Sequence, residues 1–287
     1  MKIVDVKAYP TSYRVPKELQ VSLGIGTMTK RDCVMVKVTT EDGVEMDGWM
    51  KKPNNFDPNK KYPVVFYVYG EPAGTTVQNS WDGGEGLWHQ YMAQKGYVVV
   101  SVDNRGTKTP RGHKWRQSIY GQIGILASED QSKAAKKILE TFNFLDPARV
   151  GIWGWSGGGQ MTLNCMFRYS AIYKTGIAVS FVSDQKLYDA TYQERYMGLL
   201  SSNASGYFNG SPINFAKNLE GKLMIIHGTG DDNVHYQSFE MLANVLIKHN
   251  KLFTMMSYPM RSHGINEGAN TTLHLRRTME KYWLANL

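Results

Sequence analysis

Along most of this chain, short unbroken apolar runs bounded by turn residues alternate with stretches of helical periodicity. Continuous β-branched and aromatic runs of this length read as strands buried on both faces. The pattern predicts strands over 64–69, 97–102, 150–153, 176–180, 222–227 and 253–258. Between them, helices are predicted near 87–95 (stopped by Gly96), around Ala134, Ala135, Ile138, Leu139 and Phe142, and over 160–168. Two more carry Phe239, Leu242 and Leu246, and Leu275, Met279, Tyr282 and Trp283. Strands separated by helices fold as a mostly parallel α/β sheet with helices on both faces. Ahead of this array, alternating runs at 33–38 and 44–50 flank Asp42-Gly43, which predicts an antiparallel N-terminal hairpin. Residues 1–30 mix polarities around Pro10, Pro16 and Gly24-Ile25-Gly26. They read as an irregular linker or attachment segment before a single domain over 31–287.

Composition closes off other classes. At 287 residues with 42% hydrophobic and 20% charged, the chain is ordinary globular material, long enough to bury a large core without staples. Mean hydropathy is -0.40, and no apolar run approaches the ~20 residues of a membrane-spanning helix. Met1-Lys2-Ile3-Val4-Asp5-Val6-Lys7 has no sustained apolar core, so no signal peptide is read there. The net charge of +8 is scattered in pairs such as Lys51-Lys52 and Arg276-Arg277, which argues against a nucleic-acid partner. The two cysteines, Cys33 and Cys165, form no disulfide or zinc framework. With no phosphate loop, dinucleotide fingerprint or metal cluster in the sequence, no cofactor and no metal are expected.

Gly154-Trp155-Ser156-Gly157-Gly158 matches G-x-S-x-G, between a predicted strand and a predicted helix. A nucleophilic serine must stand on a tight strand-to-helix turn whose close-packed neighbours lack side chains. That is the elbow of an α/β-hydrolase fold. A serine also needs a base, and the base an orienting carboxylate. In this fold they follow in the order Ser, Asp or Glu, His. Asp231-Asp232 follows the strand at 222–227, and His263 follows the strand at 253–258, so Ser156, Asp231 and His263 have the required order. Of the other histidines, His227 ends an apolar strand, His235 opens a helix, and His274 lies inside one. Spacing alone does not separate Asp231 from Asp232.

Longer motifs accompany these residues: Tyr188-Asp189-Ala190-Thr191-Tyr192-Gln193-Glu194-Arg195-Tyr196-Met197-Gly198, His227-Gly228-Thr229-Gly230-Asp231-Asp232-Asn233-Val234-His235 and His263-Gly264-Ile265. With the elbow, they resemble the catalytic domain of the dipeptidyl-peptidase-IV-like serine peptidases of the prolyl oligopeptidase family, from about Asp32 to the end of the chain. The resemblance implies Ser156 as nucleophile, His263 as general base and acid, and Asp231 as the orienting residue. Val68-Tyr69-Gly70-Glu71-Pro72 resembles the family's oxyanion motif. It implies Tyr69 as hydroxyl donor beside the Gly157 N–H. Tyr188 and Tyr192 match the aromatic walls for the residue before the scissile bond, which is proline or alanine in this family. Asn233 matches a ligand for a substrate carbonyl, and Val234 and Val182 match apolar lining.

Two departures shape the expectation. Where the resembled enzymes carry an aromatic residue after the nucleophile, this chain has Gly157, which implies a missing pocket wall and a looser elbow. The family also places a β-propeller, with glutamates for the substrate amine, ahead of the hydrolase domain. About 30 residues cannot hold one, at ~40–50 residues per blade. An excised catalytic domain or a propeller-less enzyme is therefore expected. The implied activity is cleavage after Pro or Ala near a peptide's N-terminus through an acyl-enzyme. A broader oligopeptidase or an esterase is the alternative, since the same triad serves many substrates. A homodimer, and a periplasmic, secreted or membrane-anchored setting, are implied by the resemblance alone.

Overall fold

The computed structural model describes residues 2–14, 17, 22–23, 26–27, 30–41, 43–78, 80 and 83–287. Its strands are β1 (Ile3–Arg14), β2 (Ser22–Leu23), β3 (Gly26–Thr27), β4 (Lys30–Thr40), β5 (Glu45–Lys51), β6 (Tyr62–Tyr67), β7 (Val98–Val102), β8 (Leu145–Trp155), β9 (Thr175–Val179), β10 (Lys222–Gly228) and β11 (Thr254–Tyr258). Its helices are α1 (Gly83–Gln94), α2 (His113–Gln117), α3 (Leu126–Thr141), α4 (Gly157–Arg168), α5 (Ala190–Met197), α6 (Ala204–Gly210), α7 (Gln237–Lys248) and α8 (Thr271–Asn286).

Among the described residues, nine strands form one sheet in the order β1-β4-β5-β7-β6-β8-β9-β10-β11. From β7 to β11 all neighbours run parallel, while β1, β4 and β5 add antiparallel pairs at one edge. The two-residue period of the strands divides their side chains between two cores. Val64, Phe66, Val100, Ile152 and Ile225 face α3, α4 and α7. Val65, Val99, Trp153, Ile177 and Ile226 face α1 and α8. This is the mostly parallel, doubly covered α/β-hydrolase sheet expected from the strand–helix alternation.

The irregular reading of residues 1–30 is corrected at its start. Ile3–Arg14 is a strand that pairs antiparallel with β4, from Ile3 opposite Thr40 to Arg14 opposite Lys30. As an edge strand it buries Ile3 and Val6 and leaves most described neighbours exposed, hence its mixed composition. Pro10 is tolerated there because an edge strand leaves one side of its backbone unpaired. The expected hairpin is β4–β5. Its Asp42, together with Pro16, Gly24 and Ile25, lies outside the described residues. No helix among the described residues is long and apolar enough to cross a membrane.

Candidate active site

Six parallel strands end at one edge of the sheet, and the loops beyond β6, β8, β9, β10 and β11 carry Tyr69, Ser156, Val182, Asp231, Asn233, Val234 and His263, with Gly157 opening α4; Tyr188 and Tyr192 remain. Those two flank and occupy α5. Such an edge is where open α/β sheets bind ligands.

β8 runs to Trp155, and α4 begins at Gly157, three residues earlier than its periodicity indicated. Ser156 is the residue between. Its φ of 59° and ψ of -121° lie outside the regions ordinary side chains prefer. The turn is over-determined. The Ser156 N–H donates to the Val179 carbonyl of β9 at 2.9 Å, and its carbonyl accepts from the Gln160 N–H at 3.0 Å. A Cβ at Gly158 would strike the Val68 carbonyl, so only glycine lets the elbow approach β6 so closely. The Gly157 N–H opens α4, where donors have no carbonyl from a preceding turn and the helix dipole favours negative charge.

Asp231 is buried and Asp232 exposed, which separates the two adjacent carboxylates. Asp231 Oδ2 accepts from His263 Nδ1 at 2.8 Å, and His227 Nε2 lies 3.2 Å from the same oxygen. Oδ1 accepts the N–H groups of Asn233 and Val234 at 3.0 and 2.9 Å. Burial alone would raise the Asp231 pKa. The hydrogen bonds from His227 and His263, the charge of His263 and the Val234 N–H outweigh it and hold the carboxyl below its usual range. His227 is fully buried, and its Nε2 lies 2.8 Å from the Val234 carbonyl, so it braces the loop.

The His263 backbone is held from the elbow side. Its carbonyl accepts from the Trp155 indole at 2.9 Å and from the Ser180 hydroxyl at 3.3 Å. Sequence reasoning missed both residues. The indole N–H of Trp155, inside the G-x-S-x-G motif, is a signal for a buried partner, whereas Ser180 carries none. Among the described residues, no hydrogen bond joins the Ser156 hydroxyl to the His263 ring. Such bonds are often long before substrate arrives.

Tyr69 lies two residues past the end of β6, so it is a loop residue and not the last of the strand. Its hydroxyl pKa is raised by burial and by the nearby Glu71 and Tyr188. Tyr188 donates its hydroxyl to Asn233 Oδ1 at 3.0 Å, and its ring meets that of Tyr192 edge-on at 5.3 Å. Val234 and Val182 are buried beside their loops. The expected gap beside Gly157 is not there. A Cβ on Gly157 would lie 2.8 Å from the carboxyl carbon of Glu71, which fills that volume. Glu71 Oε2 accepts the Tyr192 hydroxyl at 2.7 Å. The space beside Gly157 is therefore occupied by the Glu71 side chain, and position 157 carries no aromatic ring. Nothing local in Val68-Tyr69-Gly70-Glu71-Pro72 tells that Glu71 reaches residue 157.

Residues 87–287 match the model of the prolyl oligopeptidase family. The chain is 36% identical over 250 residues to dipeptidyl peptidase 4 of Trichophyton equinum, covering 84% of this chain and 32% of that one. It is 40% identical over 211 residues to a probable dipeptidyl peptidase 4 of Emericella nidulans, covering 71% and 27%. The crystal structure of Porphyromonas gingivalis dipeptidyl peptidase 4 superposes with a TM-score of 0.82 at 40% identity, covering 88% of this chain and 35% of that chain. The chain therefore spans about a third of the length of these relatives.

Proposed function

This chain belongs to the prolyl oligopeptidase family, and from that premise we propose that it is the hydrolase part of a serine dipeptidyl-type peptidase that cleaves after Pro or Ala. The observation that carries the reading is the 2.8 Å contact of the buried Asp231 carboxylate with the half-buried His263 ring, with the His263 carbonyl tied to the elbow that strains Ser156. The Asp231 carboxylate accepts from Nδ1, so His263 presents Nε2 as the base.

In the mechanism we infer, Ser156 Oγ attacks the substrate carbonyl carbon while His263 Nε2 takes its proton. The developing oxyanion receives the Gly157 N–H and the Tyr69 hydroxyl. The intermediate collapses, the C–N bond breaks, and His263 returns the proton to the leaving amine. Water then attacks the acyl-enzyme by the same route and frees Ser156. Tyr188, Tyr192, Val182 and Val234 wall the pocket for the proline or alanine ring or methyl. Asn233 holds a substrate carbonyl through the amide that Tyr188 leaves free.

We further propose that a β-propeller supplies the groups for the substrate amine in a longer protein, that the assembly is a homodimer, and that it works in a periplasmic, secreted or membrane-anchored setting. The test compares kcat/KM on glycyl-prolyl-p-nitroanilide and its N-blocked analogue, with Ser156→Ala as control. Turnover abolished by Ser156→Ala supports the catalytic reading. Turnover that survives it refutes that reading. A preference for the free amine in this chain alone would refute the assignment of amine selection to a propeller.

A further inference from the structure

We propose that Glu71 is a positioning residue of the specificity pocket, whose carboxyl takes the volume any side chain at position 157 would need and ties the Tyr192 wall to the Gly157 peptide. The proposal rests on the reading of Tyr192 as a pocket wall and of the Gly157 N–H as an oxyanion donor.

The contact is close on both sides. A Cβ on Gly157 would meet Glu71 Cδ, Cγ and Oε2 at 2.8, 2.9 and 3.0 Å, so the carboxyl lies directly against the first peptide of α4. The same Oε2 accepts the Tyr192 hydroxyl at 2.7 Å. From Tyr192 the contacts run to Tyr196 at 4.9 Å between ring centres, to Tyr188 at 5.3 Å, and on to Asn233 through a 3.0 Å hydrogen bond. One continuous set of contacts thus joins the elbow, α5 and the loop that carries Asp231.

An acid is a costly way to fill a cavity. Glu71 is 4% exposed, and among the described residues its Oε1 has no hydrogen-bond partner. A buried polar atom left unpaired destabilises a fold, and an apolar side chain would fill the space without that cost. Where a sequence breaks such a rule, a functional reason is the first place to look. Here the reason is the acceptor: Tyr192 can be held by its hydroxyl only if a buried oxygen receives it.

Charge enters as well. The ionisable groups that face Glu71 are the phenols of Tyr192 on α5, Tyr188 just before it and Tyr69 on its own loop. Burial pushes the Glu71 carboxyl up to about 7, against the lowering effect of the Tyr192 hydrogen bond. In its neutral form Glu71 fills the space beside Gly157 without opposing an oxyanion. Once ionised it sets a negative charge beside the donor that the oxyanion uses. The alkaline side of the pH profile therefore carries its signature.

The test labels the full 287-residue chain with two phosphonates. A fluorophosphonate has no residue for the pocket and reports the folded triad, while a glycyl-prolyl diphenyl phosphonate also reports the pocket. Glu71→Ala is expected to lower the ratio of prolyl to fluorophosphonate labelling rates by about tenfold or more, the scale of a small misplacement near a reaction centre. Glu71→Gln keeps shape and acceptor, so it restores the ratio and weakens the fall in prolyl labelling above pH 7. An unchanged ratio in Glu71→Ala, or an equal loss in Glu71→Gln, overturns the proposal. A wild-type chain that labels with fluorophosphonate but not with the prolyl probe defeats the Pro/Ala reading instead. Thermal denaturation then decides the positioning. Gly157→Ala alone is expected to lower Tm, and Glu71→Ala in the same chain to recover it. Additive losses would refute the exchange of space. The same Tm cycle decides the matter if Glu71→Ala labels with neither probe.

Discussion

Asp231 and Glu71 are two carboxyls at one edge of one sheet, almost equally removed from water at 5% and 4% exposure. Their electrostatic fates are opposite. Asp231 has four nitrogens around its two oxygens: the Asn233 and Val234 N–H groups, His263 Nδ1 and His227 Nε2. Glu71 has one donor, the Tyr192 hydroxyl, and a second oxygen with no partner among the described residues. Burial raises both, and only at Asp231 do the hydrogen bonds overcome it. At similar exposure, the number of donors decides which way each acid is moved. Asp231, held low, lies beside the histidine proposed as the base, and Glu71, raised to about 7, lies beside the N–H proposed as the oxyanion donor and is still partly protonated at neutral pH. Environments that push two acids apart are a familiar basis for a division of labour.

The comparison can be broken most sharply at Asp231. Asp231→Asn keeps the side-chain shape but removes the charge and disturbs the tautomer of His263. A loss in kcat of ~10⁴ is expected, read by steady-state turnover of a prolyl-anilide. A loss of tenfold or less would show that His263 does not depend on this carboxylate. Next in size is Tyr69→Phe, which deletes one proposed oxyanion donor. It is expected to lower kcat by ~10²–10³ while KM changes little. A variant that raises KM alone would make Tyr69 a binding residue.

The smallest effect sharpens the contrast through stability. Glu71 is raised in the folded state, to about 7, above its unfolded value. Between ~4.3 and about 7 the native state therefore holds more protons than the unfolded one, and stability falls as pH rises through that window. Asp231 is depressed, so its contribution is complete above ~3.9 and is lost as pH falls toward its folded value. Glu71→Gln should thus gain stability relative to wild type between pH 4.5 and 7, on the order of 3 kcal/mol, and hold that gain above pH 7. Urea denaturation at pH 4.5 and pH 8 measures it. A difference that does not change with pH would mean that Glu71 titrates in the folded protein as it does in the unfolded one.

Strand–helix alternation, the elbow motif and the chain order of serine, aspartate and histidine were local signals. They were enough for the sheet, its two covered faces and the edge that bears the site, because a two-residue or 3.6-residue period is written into neighbouring residues. The β1 strand was not legible. Its partner β4 lies beyond two short strands, and an edge strand with one solvated face lacks the continuous apolar run by which buried strands announce themselves. Spacing alone did not choose between Asp231 and Asp232, which only the resemblance separated, since adjacent carboxylates differ in which one the loop turns inward. Trp155 and Ser180 as supports of His263 arise from packing between β8, β9 and the loop after β11. The replacement of a side chain at 157 by Glu71 depends on two segments 86 residues apart meeting in one volume. A sequence by itself determines which residues are available for chemistry and the period on which they recur. Only the folded chain decides which of them share a volume and how many donors each buried oxygen receives, because both depend on distances between segments far apart in the sequence.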